Sequence, residues 1–215
     1  MMTATAEVEP ITHEGVGVAP EDQTRAGIYG LLARLFYGPP SAELLDGIRG
    51  ANVIDGSRTD SKLTSCWCAL QDAARAGDPA AIKQEYDDNF ISTGRPPVLL
   101  YGSFYLAGSL GERPLAELRA ELARLGLARK AAAGESEDHI SALCDVMRFL
   151  IAGDEDTPAA ALETQRDFFA RHIKPWHVAL CAAVVGAAGT HFYKDVARFA
   201  KEFFDLENES FEFAE

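Results

Sequence analysis

The chain has 215 residues, of which 47% are hydrophobic and 25% charged, and its formal net charge is −13. This composition is typical of a soluble globular protein with one domain, or at most two, and excludes collagen-like, low-complexity and disulfide-scaffold proteins. The acidity lies at the two ends, because residues 1–22 contain five acids and residues 202–215 contain six, and neither segment contains Lys or Arg. The body between them has no basic stripe, so nucleic-acid binding is not expected.

The sequence shows no targeting or metal-binding signal. The N-terminus lacks the basic and apolar regions of a signal peptide. The longest apolar stretch, residues 178–189, is much shorter than the roughly 20 residues that a membrane-spanning helix needs. The four cysteines (Cys66, Cys68, Cys144 and Cys181) do not have the spacing of zinc ligands. We therefore expect a cytoplasmic protein without a metal site and without stable membrane insertion.

Helical periodicity begins after the N-terminal segment. Residues 1–22 are small, acidic and without a hydrophobic period, which predicts a disordered tail. Apolar residues in 28–36 then recur on one face of a first helix, and Pro39 and Pro40 end it. Ser41 is predicted to cap a short second helix, and residues 63–74 predict a third.

Prolines and polar caps mark the later helices. Asp78 and Pro79 are predicted to open the fourth helix, and Pro96 and Pro97 prevent its continuation. Residues 140–151 have the clearest apolar stripe in the chain. Later helix starts are predicted at Pro114, Ser136, Thr157–Pro158 and Pro175, and a last helix is predicted over residues 192–203.

No segment shows the alternation of a strand, and no hairpin turn joins two β-branched runs. The sequence therefore predicts an all-α, single-domain bundle of about nine or ten helices over residues 23–206. It also predicts an acidic C-terminal tail over residues 207–215. The irregular, aromatic segment 91–113 is predicted to be a linker or a groove-forming loop.

The motifs of common enzymes are absent from the sequence. There is no G-x-S-x-G nucleophile elbow and no Gly-rich phosphate loop. His172 and His177 are separated by Pro175, so they do not share one helix face as the zinc ligands of H-E-x-x-H do. We therefore expect no catalytic residues of these classes.

The first candidate motif comes directly before the clearest amphipathic helix. Most of this motif can be explained as the start of a helix, with Ser136 as the N-cap and acids in the first turn favoured by the helix dipole. This interpretation does not explain the histidine in the motif. Residues 135–156 hold seven acids and one base, an anionic patch that could receive a cationic segment. The motif residues are Glu135, Glu137, Asp138 and His139.

The second candidate motif is aromatic and apolar. Tyr86 and Phe90 precede a loop, residues 96–106, that is rich in Leu and Tyr and includes Tyr101 and Ser103. An exposed loop of this kind suits an apolar peptide. The alternative interpretation is a loop that packs down on the bundle.

Both motifs resemble the signatures of the TorD/DmsD family of chaperones for molybdenum enzymes. The first family signature is Tyr-x-x-Leu-Phe followed by Pro, an aromatic residue and Ser; the second is Glu-Pro-x-Asp-His before an apolar helix with Met. The resemblance covers about residues 23–206, with Asn89 in place of Leu and Ser136 in place of Pro. The matching residues are Tyr86, Phe90, Tyr101 and Ser103, then Glu135, Asp138, His139, Leu143 and Met147, with Arg25, Gln165 and Trp176 outside the two signatures.

The resemblance implies a chaperone without catalytic activity. Such a protein binds the apo form of a molybdoenzyme of the dimethyl sulfoxide reductase family, often through its twin-arginine signal peptide, until the molybdenum cofactor is inserted. The implied partner is the catalytic subunit of a molybdopterin oxidoreductase, the chaperone being a monomer or a dimer. No permanent cofactor is implied, and family members have been linked to transient contact with molybdenum cofactor or guanine nucleotide. The implied binding residues are Glu135, Glu137, Asp138, His139, Tyr101, Ser103, Phe90 and Tyr86.

Two other functions remain open from the residues. One is a small helical enzyme that uses His139 with Asp138 or Glu137 as acid–base groups. The other is a nucleotide-binding regulator, although no cationic or Gly-rich phosphate site is visible in the sequence. If His139 pairs with the acids, we expect it to be charged more readily, and peptide affinity to change between pH 6 and 8.

Overall fold

The computed structural model describes residues 19–51, 61–91, 94–128 and 134–213. Within these ranges the chain forms ten α-helices, one π-helical turn after α4, and no strand, which confirms the predicted all-α bundle. The helices are α1 Pro20–Tyr37, α2 Ala42–Gly50, α3 Lys62–Ala76, α4 Pro79–Tyr86, α5 Gly102–Ala107, α6 Glu112–Arg124, α7 Ile140–Ala152, α8 Leu162–His172, α9 His177–Gly186 and α10 Phe192–Phe213.

The core lies around α10, the longest helix. It packs against α1, α3, α4, α8 and α9, while α1 also packs along α7. The aromatic face of α10 is fully buried, and the ring of Phe203 meets that of Tyr29 of α1 edge-on at 4.8 Å. Burial of this apolar face holds the outer helices in place, because apolar surface removed from water is the main stabilising contribution to folding.

Several helix ends lie where the sequence predicts them. Ser41 caps α2 by accepting the Leu44 N–H at 3.1 Å, and Asp78 caps α4 by accepting the Ala81 N–H at 3.1 Å. These side chains satisfy backbone donors that the first turn of a helix leaves unpaired. α1 ends at Tyr37, two residues before Pro39.

Two predicted helix starts are wrong. α7 begins at Ile140 with His139 as its N-cap, and not after Ser136. α8 begins at Leu162, and not at Thr157, because the Asp154 side chain accepts the Thr157 N–H at 2.8 Å and closes a turn there. The Asp154 N–H also donates to the Thr157 carbonyl, so this backbone is committed to the turn before the helix starts.

The predicted boundary at residue 206 is also wrong. α10 continues through the acidic segment to Phe213, because the Glu207 carboxylate accepts two hydrogen bonds from Arg25, at 2.7 and 2.9 Å, and Phe211 is buried beside it. At the other end, the predicted tail over residues 1–22 falls mostly outside the described residues. Asp22 belongs to α1 and pairs with Arg25 at 2.7 Å.

In the part of the chain that the structure describes, none of the helices has both the length and the apolar character needed to cross a membrane.

Substitutions at two phenylalanines of α10, one buried and one exposed, test which face of this helix lies in the core. Replacing the buried Phe203 by Ala should lower the free energy of unfolding by about 3–5 kcal/mol, because a cavity remains where the ring packed. Replacing Phe213, whose surface is 89% exposed, by Ala should change it by less than about 0.5 kcal/mol. Urea unfolding followed by circular dichroism measures both, and equal effects would contradict this account of the core.

Candidate functional site

The two sequence motifs meet through their backbones. The Gly102 N–H donates to the Asp138 carbonyl at 2.9 Å, and the Ile140 N–H donates to the Leu100 carbonyl at 2.8 Å. Tyr101 and His139 form an isolated antiparallel bridge between these bonds. Residues 100–103 and 135–140, called the paired segments below, therefore form one unit although they are far apart in the sequence.

Asp138 holds the paired segments together with its side chain. Its carboxylate accepts the Ser103 N–H at 3.0 Å and the Ser103 hydroxyl at 2.5 Å, and it also accepts the Ser136 hydroxyl. The Ser103 hydroxyl oxygen in turn accepts the Gly111 N–H at 3.0 Å. Asp138 is buried, and its hydrogen bonds point into the protein. These bonds hold the start of α5 in place.

His139 is buried and caps α7. Its Nδ1 accepts the Ser141 N–H at 3.2 Å, and its ring lies edge-on to that of Tyr101 at 5.0 Å. Burial lowers the pKa of His139 from 6.5 to about 4, although the nearby Glu135 and Asp138 carboxylates favour the charged form. The hydrogen bonds described for His139 go to Ser141 and not to the acids, so the condition for a readily charged imidazole is not met. A neutral ring suits the positive end of the helix dipole.

Glu135 and Glu137 lie at the edge of the paired segments. The Tyr101 hydroxyl donates to the Glu135 carboxylate, and burial together with this bond raises the pKa of Tyr101. Glu137, whose side chain is 14% exposed, forms an ion pair with Arg119 of α6 at 2.9 Å. These two acids lie nearer the surface than Asp138.

Tyr86 and Phe90 belong to the core. The Tyr86 hydroxyl donates to the Phe36 carbonyl at 3.1 Å, and both rings pack against Tyr193. Val98 is buried as well, so the loop before α5 packs down on the bundle. Tyr86 and Phe90 are therefore buried core residues and do not lie exposed at the surface.

Gly102 allows α5 to approach the bundle closely. A Cβ atom at this position would lie 3.2 Å from the indole of Trp176. The ring of Tyr105 stacks on the same indole at 5.4 Å, and the indole N–H donates to the His172 carbonyl at 2.6 Å. The Tyr-Gly-Ser run of the first motif thus fixes α5 against the loop between α8 and α9.

A cavity of about 480 Å³ opens beside the paired segments. It lies between α5, α6, α7 and the C-terminal end of α8, with apolar side chains and a set of charged ones around it. Apolar walls with a few convergent polar groups are typical of a ligand site. The lining residues that matter here are Leu106, Pro114, Leu118 and Leu143, then Glu117, Glu121, Arg124, Asp138, Arg171 and His172.

Glu121 is the most enclosed of the charged groups on α6. Its carboxylate oxygens both lie 3.1 Å from Nη1 of Arg171, and one lies 2.9 Å from Nε2 of His172. Arg124 reaches the same carboxylate at 3.6 Å. Sequence reasoning missed this cluster; its one sequence signal is the i, i+4 spacing of Glu117 and Glu121, which places both on one helix face.

A metal site is not evident in this region. Among the residues that the structure describes, no group of three or more His, Cys, Asp or Glu side chains has the arrangement to hold a metal ion.

Three comparisons place the chain among known proteins. Residues 58–182 match the family model described as "Nitrate reductase delta subunit". The chain is 26% identical over 198 residues, covering 85% of the chain and 89% of the relative, to "Chaperone protein TorD" of Vibrio cholerae serotype O1, and 25% identical over 196 residues to that of a second strain. It also matches a crystal structure from Archaeoglobus fulgidus described as a redox enzyme maturation protein, with a TM-score of 0.54, 20% identity, and coverage of 85% of this chain and 92% of that one.

The fold and the family match define a helical maturation protein, a class that is not catalytic. The chain belongs to the family of the matched model, the TorD-like redox enzyme maturation chaperones. Both paired segments lie inside the matched residues. The resemblance found in the sequence is thus confirmed, and the acid–base enzyme is set aside.

The role of Asp138 can be tested by stability. Asp138→Ala leaves the Ser103 N–H, the buried Ser103 hydroxyl and the half-buried Ser136 hydroxyl without this acceptor, which should lower the free energy of unfolding by about 2–3 kcal/mol. Asp145→Ala is the matched control on α7, because Asp145 is 61% exposed and pairs only with its neighbour Arg148 among the ion pairs described. The control should change stability by less than about 0.5 kcal/mol. Urea unfolding that ranks the two variants equally would show that Asp138 does not hold the segments.

The pKa of His139 predicts a pH dependence. Because the pKa is about 4 in the folded chain and 6.5 when unfolded, the unfolded chain binds a proton first as pH falls. The stability contribution is complete above pH 6.5 and is lost towards pH 4, by up to about 3 kcal/mol. His139→Gln should flatten this slope, whereas His191→Gln, at an exposed position, should keep it. Urea unfolding from pH 4 to 8 checks this, and a wild-type slope in His139→Gln would refute it.

Proposed function

We propose that the chain binds, in the cytoplasm, the apo form of a molybdopterin oxidoreductase catalytic subunit of the dimethyl sulfoxide reductase family. It does so through the twin-arginine signal peptide of that subunit and holds it until the molybdenum cofactor has been inserted. The client then leaves for export. The family membership of the chain supports the class of client, since its curated relatives are named chaperones.

The single observation that carries the proposal is the cavity beside the paired segments. Its apolar walls include Leu118 and Leu143, and carboxylates of Glu117 and Glu121 lie among them. A twin-arginine peptide has two guanidinium groups next to an apolar stretch. Carboxylates beside apolar surface match both parts, because guanidinium and carboxylate form strong, paired hydrogen bonds.

The residues of the two motifs divide into two roles under this proposal. Glu135 and Glu137 lie near the surface and can meet arginine side chains of the client. Asp138, His139 and Ser103 position the cavity wall through their buried hydrogen bonds. Leu106 and Leu110, both more than 40% exposed, offer apolar surface for the stretch that follows the arginines.

Under this proposal the client, and not the chaperone, binds the molybdenum cofactor permanently. The chaperone meets the molybdenum cofactor only transiently, while the client is being loaded. A guanine nucleotide is less well matched to the cavity, because Glu121 already neutralises Arg171 and Glu117 lies on the same face. A phosphate group would therefore face carboxylates, which disfavour it.

A nitrate reductase catalytic subunit is the second candidate client. The matched family model carries the description "Nitrate reductase delta subunit", so the family extends to that enzyme. The two candidates differ in the client and not in the binding surface.

A panel of clients tests the proposal. The probes are synthetic signal peptides of every molybdoenzyme catalytic subunit of the source organism that has two adjacent arginines, and the apo subunits with and without these peptides. We expect one client peptide to bind in calorimetry at low salt, and its affinity to fall as salt screens the charges. If no peptide binds but an apo subunit without its signal peptide does, the chaperone contacts another part of the client and not the signal peptide.

One variant pair locates the contact. Glu137→Gln should weaken peptide binding about 3- to 10-fold, because it removes one charge-assisted hydrogen bond to the client. Asp72→Asn is the matched control, since Asp72 is an exposed acid that pairs with Arg75 on α3, outside the cavity. Equal affinities for Glu137→Gln and the wild type would remove Glu137 from the site.

A further inference from the structure

We propose that Glu121 receives an arginine of the client and that Arg171 occupies its place in the free chaperone. Client binding is then an exchange of one guanidinium group for another on a fixed carboxylate. The inference rests on the proposed function, and it adds a receiving residue outside both sequence motifs and an internal competitor for it.

The Glu121 carboxylate is preorganised to bind a guanidinium group. Its side chain is 9% exposed, yet it lines the cavity, so the carboxylate is enclosed by protein and still accessible from the cavity. Both oxygens are engaged by one nitrogen of Arg171 at 3.1 Å, and the His172 ring supports the carboxylate at 2.9 Å. Most of the desolvation of this carboxylate has therefore taken place before a client arrives.

The two arginine partners of Glu121 are far more exposed than the carboxylate itself. The side chains of Arg171 and Arg124 are 50% and 67% exposed, and they reach Glu121 from the solvent side. Because an arriving guanidinium group takes the place of the arginine, the exchange does not leave the enclosed carboxylate unpaired. A carboxylate held in place by the protein can thus change its guanidinium partner without a change in the bundle.

Arg171 has a second carboxylate to hold when it is displaced. Its Nη2 lies 3.2 Å from Asp167, one turn earlier on α8. A small rotation of the Arg171 side chain keeps this bond while it leaves Glu121. The displaced charge is therefore not left without a partner, which lowers the free-energy cost of the exchange.

Glu117 provides a second receiving position on the same face of α6. It lies four residues before Glu121, which corresponds to about 6 Å along the helix axis, and it lines the same cavity. Its partner Arg113 is 87% exposed, so this pair is also open to exchange. Two carboxylates at this separation are within reach of two adjacent arginines of one peptide.

The inference predicts that a variant without Arg171 binds the client signal peptide more tightly than the wild type does. Arg171→Gln removes the internal competitor, so the client signal peptide identified in the panel should bind about 3- to 5-fold more tightly in calorimetry. A version of that peptide with both arginines replaced by Gln should show no such gain. Arg75→Gln is the matched control, because it makes the same change in net charge at an exposed ion pair on α3, and it should leave the affinity unchanged.

Loss variants complete the test. Glu121→Gln should weaken peptide binding about tenfold, with thermal unfolding measured to confirm that the buried site still folds. Glu117→Gln, at a side chain that is 58% exposed, should fold normally and weaken binding about 3-fold.

The outcomes separate this inference from the proposed function. Unchanged or weaker affinity of Arg171→Gln, with normal peptide binding by the wild type, would overturn the exchange and leave the proposed function standing. An equal gain with the Gln-substituted peptide would also overturn it. Absence of peptide binding by the wild type would overturn both.

Discussion

The hydrogen bonds that converge on the Asp138 carboxylate are the interaction on which the rest of the site depends. A buried carboxylate is tolerated only when donors surround it, and here one backbone N–H and two hydroxyls do so. These bonds fix the start of α5, which brings Gly102 against Trp176 and forms one wall of the cavity. The Asp-His pair of the second motif therefore has a structural role. Asp138 connects the start of α5 to residues 135–140, and His139 is the N-cap of α7.

The charges of the site follow from the same rule. The net charge of the chain is strongly negative, yet Glu121 and Glu137 each hold an arginine of the same chain. An enclosed carboxylate is costly when it is left alone, so the free chaperone keeps guanidinium groups on these acids. Under the proposed exchange, a client replaces contacts that already exist, and its net gain is small. Such a balance suits a chaperone, because a client that is held weakly can be released once it is loaded.

Local sequence patterns predicted the helices well because their causes are local. Ser41 and Asp78 cap helices through backbone donors three residues away, and Pro39 stops α1 wherever the chain folds. The errors arose where a competing interaction won. A side chain of Asp154 closed a turn ahead of α8, and a distant partner, Arg25, drew Glu207 into α10.

The sequence by itself determined the all-helical class, most helix positions and the family, because helical period, caps and motif order are properties of residues close together in the chain. Only the tertiary structure decided which of the candidate site residues are buried. It buried Asp138, His139, Tyr86 and Phe90, which the sequence had offered as contacts. It also brought Arg171 to Glu121 across 50 residues of chain. Burial and ion pairing between distant residues depend on how the helices pack against one another. The spacing of residues along one helix does not determine that packing.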